Sequence, residues 1–144
     1  MATVYGEPFE AEVAMSSPDG SIRVVGSAGP GGAGAFDLNL ETITFASTIT
    51  PNAATSNKKV IVQTANMTFA APTNPANGRI LLFRLHMGGA GSYSRTWNAI
   101  YRFSGDLILA NCVPSTSVGA VDRIGFEYNS IDSVWDAVSY LRGQ

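Results

Sequence analysis

Chemistry-bearing side chains are scarce in this chain: 144 residues hold one histidine, one cysteine and only 14% charged residues. A lone Cys112 leaves no intrachain disulfide to form, and its surroundings mark it as a small buried hydrophobe. With His86 it still falls short of a zinc shell, which needs four ligands at suitable spacing. Any Ser-His-Asp or Cys-His site would have to use His86. That residue sits between Leu85 and Met87 in an apolar strand, with no G-x-S-x-G or comparable motif in the chain. Long apolar runs are missing too. The longest strongly apolar stretch, Ile80 to Phe83, is far below the roughly 20 residues of a membrane-spanning helix. The opening MATVYGEPFEAEVAM has no basic segment leading into an apolar one, so a secretory signal is not expected. An excess of basic residues is absent as well. The net charge is −2, whereas a nucleic-acid binder clusters Lys and Arg to neutralise phosphates. These absences lead to a soluble, non-enzymatic protein with no catalytic, cofactor or metal site and with neither nucleic acid nor membrane as partner.

Weaker chemical signals have plainer readings. Gly88 to Gly91 follow a strand, as phosphate loops do, but no Lys-Ser/Thr pair comes after them, so they read as a hairpin loop. Asp122, Glu127, Asp132 and Asp136 cluster near the C-terminus, and a glycosidase needs two carboxyls roughly 5–10 Å apart in one cleft. Strand alternation puts Asp122 and Glu127 on opposite faces, and Asp132 falls in a turn. Trp97 and Trp135 lie at strand spacing among other aromatics, which favours core packing over sugar stacking.

What the sequence does contain is strand pattern broken by turns. Residues 1–25 read as an extended arm. Its first twenty residues carry Glu7, Glu10, Glu12 and Asp19 and no Lys or Arg, either to meet a basic patch on a partner or simply to be solvated. Residues 26–35, GSAGPGGAGA, have no side chain large enough to pack and form a hinge. Residues 36–144 form the folded domain. Phe36, Leu38 and Leu40 alternate with polar residues, and the phase slips at Glu41–Thr42 before Ile43 and Phe45. Residues 59–70 read as two short strands or one bent strand, with Val60 and Val62 sharing a face. Asn77-Gly78 supplies a tight turn. Residues 79–87 then carry an unbroken apolar parity at Leu81, Phe83, Leu85 and Met87. Residues 93–103 read as one run with Trp97, Ala99, Tyr101 and Phe103 in register, and Leu107 to Cys112 as a short strand. Val121–Asn129 and Val134–Leu141 form a closing hairpin, with Trp135, Ala137 and Leu141 on one face. No stretch keeps helical period over three turns. The expected fold is all-β, a single β-sandwich or jelly-roll-like domain behind an extended N-terminal arm.

Three ordered segments carry a family resemblance. TFAAPTNPANGRILLFRL (68–85), TWNAIYRFSG (96–105) and AVDRIGFEYNSIDSVWDAVS (120–139) together resemble the β-rich module of bacteriophage virion proteins found in capsid decoration (cement) proteins, head fibres and tail fibres. The resemblance implies a non-catalytic, often trimeric virion component. The chain departs from the module at Asp106 to Cys112, which is apolar where a Gly/Pro-rich stretch often follows. No heptad rod precedes the domain, a layout that suits a free-standing lattice clamp better than a fibre tip. The expected function is a decoration protein that binds the major capsid protein as a homotrimer in the virion, assembled in the host cytoplasm. Val4, Tyr5, Phe9 and Val13 of the arm would be its partner anchors, by strand addition to a neighbour. The alternative is a head- or tail-fibre receptor-binding module whose exposed loops, with Gly89, Ser92, Ser115 and Ser117, touch a host glycan or protein.

Overall fold

The structure, a computed structural model, describes residues 40–143. The chain divides at Phe36/Asp37 into two units, and the described residues belong to the second. The expected arm and hinge, with Val4, Tyr5, Phe9 and Val13, lie outside the described residues.

Nine strands and one short 3₁₀ turn make up the described domain, which is therefore all-β. The larger sheet runs in the order β1 (Leu40–Thr42), β3 (Lys58–Gln63), β5 (Ile80–Met87), β8 (Val121–Asn129), β9 (Val134–Leu141) and β7 (Tyr101–Arg102). The smaller sheet runs β2 (Thr48–Ile49), β4 (Met67–Phe69), β6 (Arg95–Trp97). Each odd strand up to β5 is followed by an even strand in the other sheet. β1, β3 and β5 are mutually parallel, as are β2, β4 and β6. The chain thus winds through three similar turns, and the Asn52–Thr73 bridge links successive turns at a further point. Only then does the β8–β9 hairpin add antiparallel pairing to β5. Residues of both sheets contribute to one core, and the first six strands are joined by parallel windings, so the all-β domain has mixed sheets.

The core comes from both sheets: Ile49, Ile61, Met67, Phe69, Leu81, Phe83, Leu85, Tyr101, Ile124, Phe126 and Trp135 are all buried. Register stacks Thr68 on Thr96 and aromatic on aromatic between β4 and β6. Phe69 lies opposite Trp97, and their rings are parallel with centroids 4.1 Å apart. Phe83 meets both edge-on from the larger sheet, the arrangement that ring quadrupoles favour. β5 buries Leu81, Phe83, Leu85 and Met87, as its alternation requires. The Asn77-Gly78 turn forms with Gly78 at φ 73°, a left-handed conformation glycine adopts without a Cβ penalty.

Several expected elements differ. In β3 the face shared by Val60 and Val62 is the outward one. Lys59, Ile61 and Gln63 are buried because their register partners are Phe83, Leu85 and Met87. The 93–103 run is broken: Asn98 accepts the Tyr101 N–H through its carbonyl and the Ile100 N–H through Oδ1, so Ala99 is exposed and β7 crosses to the larger sheet. Leu107 to Cys112 is not a strand. It follows the 3₁₀ turn Gly105–Leu107 with further tight turns, Asn111 N–H bonding Ile108 O, and its Ile108 and Leu109 are exposed. The hairpin has the expected bounds, but Leu141 faces outward. Gly125 pairs with Ser139 and Phe126 with Ala137, so Val138 is an extra residue and the parity flips beyond it.

Candidate assembly surface

Charged residues on the inward face are all held. Lys59 Nζ reaches Glu41, the Asn52 carbonyl at 2.8 Å and Thr55 Oγ1 at 2.8 Å. At the opposite end of the strands, Arg95 donates from Nε to Gln63 Oε1 at 2.8 Å and from Nη1 to Asp122 Oδ2 at 2.5 Å. Gln63 in turn donates to the carbonyls of Ala65 and Ser94. Asp122 also accepts the Ser115 N–H (2.9 Å), the Ser115 hydroxyl (2.5 Å) and the Gly143 N–H (2.8 Å). Burial alone would raise the Asp122 carboxyl, but Gly143, Ser115 and Arg95 together outweigh it and hold it below the usual carboxylate range. Gly143 fits only as glycine, since a Cβ there would lie 2.4 Å from the Val121 backbone.

Asp122 thereby anchors the loop that follows β7. Ser115, expected as an exposed recognition residue, is only 4% exposed; its hydroxyl and N–H are consumed by Asp122 beneath the loop, so it is a structural residue. Gly89, Ser92 and Ser117 are exposed as expected. The two candidate loops do come together: Ser92 N–H donates to Thr116 O at 3.0 Å, and Gly119 N–H to Met87 O at 2.7 Å. Tyr93 Oη accepts the Ala90 N–H, which fixes the first loop on itself.

Of the carboxylate cluster, Asp122 is buried while Glu127 is exposed on the other face of β8, so these two do not share a cleft, whereas Glu127 and Asp136 do. His86 is half-buried opposite Val121. Cys112 is buried, and burial raises its thiol pKa. Among the described residues no cluster of three or more His, Cys, Asp or Glu is placed to hold a metal, and no helix is long and apolar enough to cross a membrane. Trp135 is fully buried and Trp97 packs on Phe69, so both are core residues.

The outward face of the larger sheet is the feature that the sequence did not single out. Register sorts it into rows running across the strands. One row is Val62, His86 and Val121; the next is Val60, Arg84, Arg123 and Leu141. The third is Leu40, Lys58, Leu82, Gly125 and Ser139, and the fourth Ile80, Glu127, Asp136 and Arg102. Leu40, Val62, Ile80, Val138 and Leu141 are each exposed, from 45% to 57%. Arg84 and Arg123 are direct cross-strand partners, and Lys58 joins them around a notch of about 120 Å³ floored by Leu40 and Leu82. None of the three cations has an ion-pair partner among the described residues.

Glu127 and Asp136 are also direct partners. With Asn77, Gly78, Tyr128, Asn129 and Val138 they line a cleft of about 410 Å³. Asp136 is ion-paired to Arg102, which lowers its carboxyl pKa despite partial desolvation, and Arg102 also reaches Asp132. Glu127 has no such partner among the described residues. Each cation and acid sits on an outward strand position, which alternation alone could find. That they meet in rows depends on register, which a single sequence does not reveal. Compared with known proteins, the chain matches no protein family, no curated protein and no solved structure.

Proposed function

We propose that the chain is a non-enzymatic structural protein of a bacteriophage virion, a capsid decoration protein that binds and stabilises the outer surface of the head as a symmetric oligomer. One observation carries the reading. The outward face of the larger sheet combines half-exposed Leu40, Val62, Ile80 and Leu141 with the cations Lys58, Arg84 and Arg123, which have no ion-pair partner among the described residues. An ordered sheet face with this mixture is an interaction surface, because a monomer gains nothing from leaving it uncovered. The major capsid protein is the partner in this reading, the oligomer is a homotrimer, and the two facing sheets are a sandwich-type virion module. A protein that binds only the assembled lattice stabilises it by mass action. Residues 1–25, with Val4, Tyr5, Phe9 and Val13, add a second attachment.

Quantitative mass spectrometry of purified particles against the major capsid protein tests it. A copy number matching the symmetry of the head lattice supports a decoration protein. Absence from the particle sinks the virion reading. The adjacency of the 88–92 and 113–119 loops favours a second reading, a head- or tail-fibre receptor-binding module with Gly89, Ser92 and Ser117 facing a host glycan or protein. A copy number of only a handful per particle would select it.

A further inference from the structure

We infer that the outward face of the larger sheet binds a second copy of this chain, the basic rows of one copy lying against the acidic row of the next. The pattern on β8 carries the inference. Arg123 faces Arg84 directly across the ladder, and four residues further along Glu127 faces Asp136. Like charges directly opposite one another destabilise a strand pair, and this strand holds two such pairs of opposite sign. At about 3.3 Å per residue the two lie roughly 13 Å apart on one face. Lys58 lies on β3 in the row between the two, and Ile80 borders the negative one. The arginine pair therefore costs the isolated chain something that an inverted neighbour would return, while at the acidic end Arg102 already offsets Asp136 and Glu127 is the acid without an ion-pair partner among the described residues. A two-fold axis lying in the face and crossing the strands places Arg84 and Arg123 of one copy over Glu127 of the other. Leu40, Leu82, Val138 and Leu141 lie among the charged rows and would be covered by this contact.

Charge complementarity points to a second copy, because both halves of the match are on the same face. The two like-charge pairs bring no ion-pair partner of their own for Lys58, Arg84, Arg123 or Glu127 among the described residues. The inference does not depend on the virion reading: a self-associating protein absent from any particle would keep it, and a particle-bound monomer would end it.

Sedimentation velocity of the full chain at neutral pH tests it, with Arg84→Glu/Arg123→Glu and Glu127→Arg as variants. The wild type is expected to self-associate, and more weakly at high salt, because exposed charges are screened beyond about 10 Å at 0.1 M. Each variant alone is expected to weaken association about tenfold or more. Mixing them is expected to restore it, since one copy is then acidic at both ends and the other basic at both. A wild type that stays monomeric at all concentrations overturns the proposal. So do variants that associate like wild type, or a mixture no stronger than its components. Far-UV circular dichroism checks folding, and Lys58→Glu replaces the double variant if that one loses its strand signal.

Discussion

Lys58 and Lys59 are neighbours in sequence, as are Asp122 and Arg123, yet each pair is split by the pleat into one inward and one outward charge. The inward members are fully buried and saturated: Lys59 by Glu41, Asn52 and Thr55, and Asp122 by Arg95, Ser115 and Gly143. The outward members have no ionic partner among the described residues. A buried charge persists only where it is paired and hydrogen-bonded, so the inward set belongs to the fold. An outward cation placed directly opposite another cation does not stabilise that strand pair, so these cations are not held by the contacts that build the described fold.

The largest effect that sharpens this comparison is expected at Asp122. Asp122→Ala leaves Arg95 buried without its carboxylate and frees Ser115 and Gly143 together. A loss of about 3–5 kcal/mol is expected in urea unfolding, as for other broken buried pairs. Lys59→Ala is expected to cost less, about 2 kcal/mol, because the Glu41 it abandons is already one-third exposed and can be hydrated. Gly143→Ala should follow at about 1–2 kcal/mol, since the Cβ collides with the Val121 backbone and the chain end must shift.

The pH dependence separates the two sets further. The folded Asp122 carboxyl lies below its unfolded value of about 3.9, so its stabilising contribution is fully present above that pH and is lost as pH falls through the folded value. Thermal midpoints are expected to drop below about pH 4 in the wild type, and Asp122→Asn should remove part of that slope. The smallest effect is expected at Arg102. Its pairs with Asp132 and Asp136 are solvent-exposed, so Arg102→Ala should leave the thermal midpoint unchanged. A large drop there would break the distinction between inward and outward charge.

The legible parts of the fold were those where apolar residues alternate without interruption. β5 and the β8–β9 hairpin follow their pattern, because Leu81, Phe83, Leu85, Ile124 and Phe126 leave only one face that can be inward. β3 defeats the pattern, since its buried face reads Lys-Ile-Gln and its exposed face holds two valines. Hydrogen bonds donated by Lys59 to Glu41 and by Gln63 to backbone carbonyls, with one donated by Arg95 to Gln63, reverse what hydropathy alone indicates. Leu141 was misplaced by one bulged residue, Val138, which no local signal marks. The parallel winding was hidden for another reason. Each turn passes through both sheets in strands of two to eight residues, and short strands carry no direction in their sequence. For the same reason the rows of the outward face could not be assembled: Lys58, Arg84 and Arg123 are far apart in the chain, and only register brings them together.

The central claim is that Arg84 and Arg123 face outward for a partner and contribute nothing to the folded chain. Urea unfolding of Arg84→Glu/Arg123→Glu against wild type, under dissociating dilution, measures that most directly. The account predicts a free energy of unfolding within about 0.5 kcal/mol of wild type, the usual range for surface substitutions away from structural features. A loss approaching that of Asp122→Ala would contradict it and return these arginines to the fold.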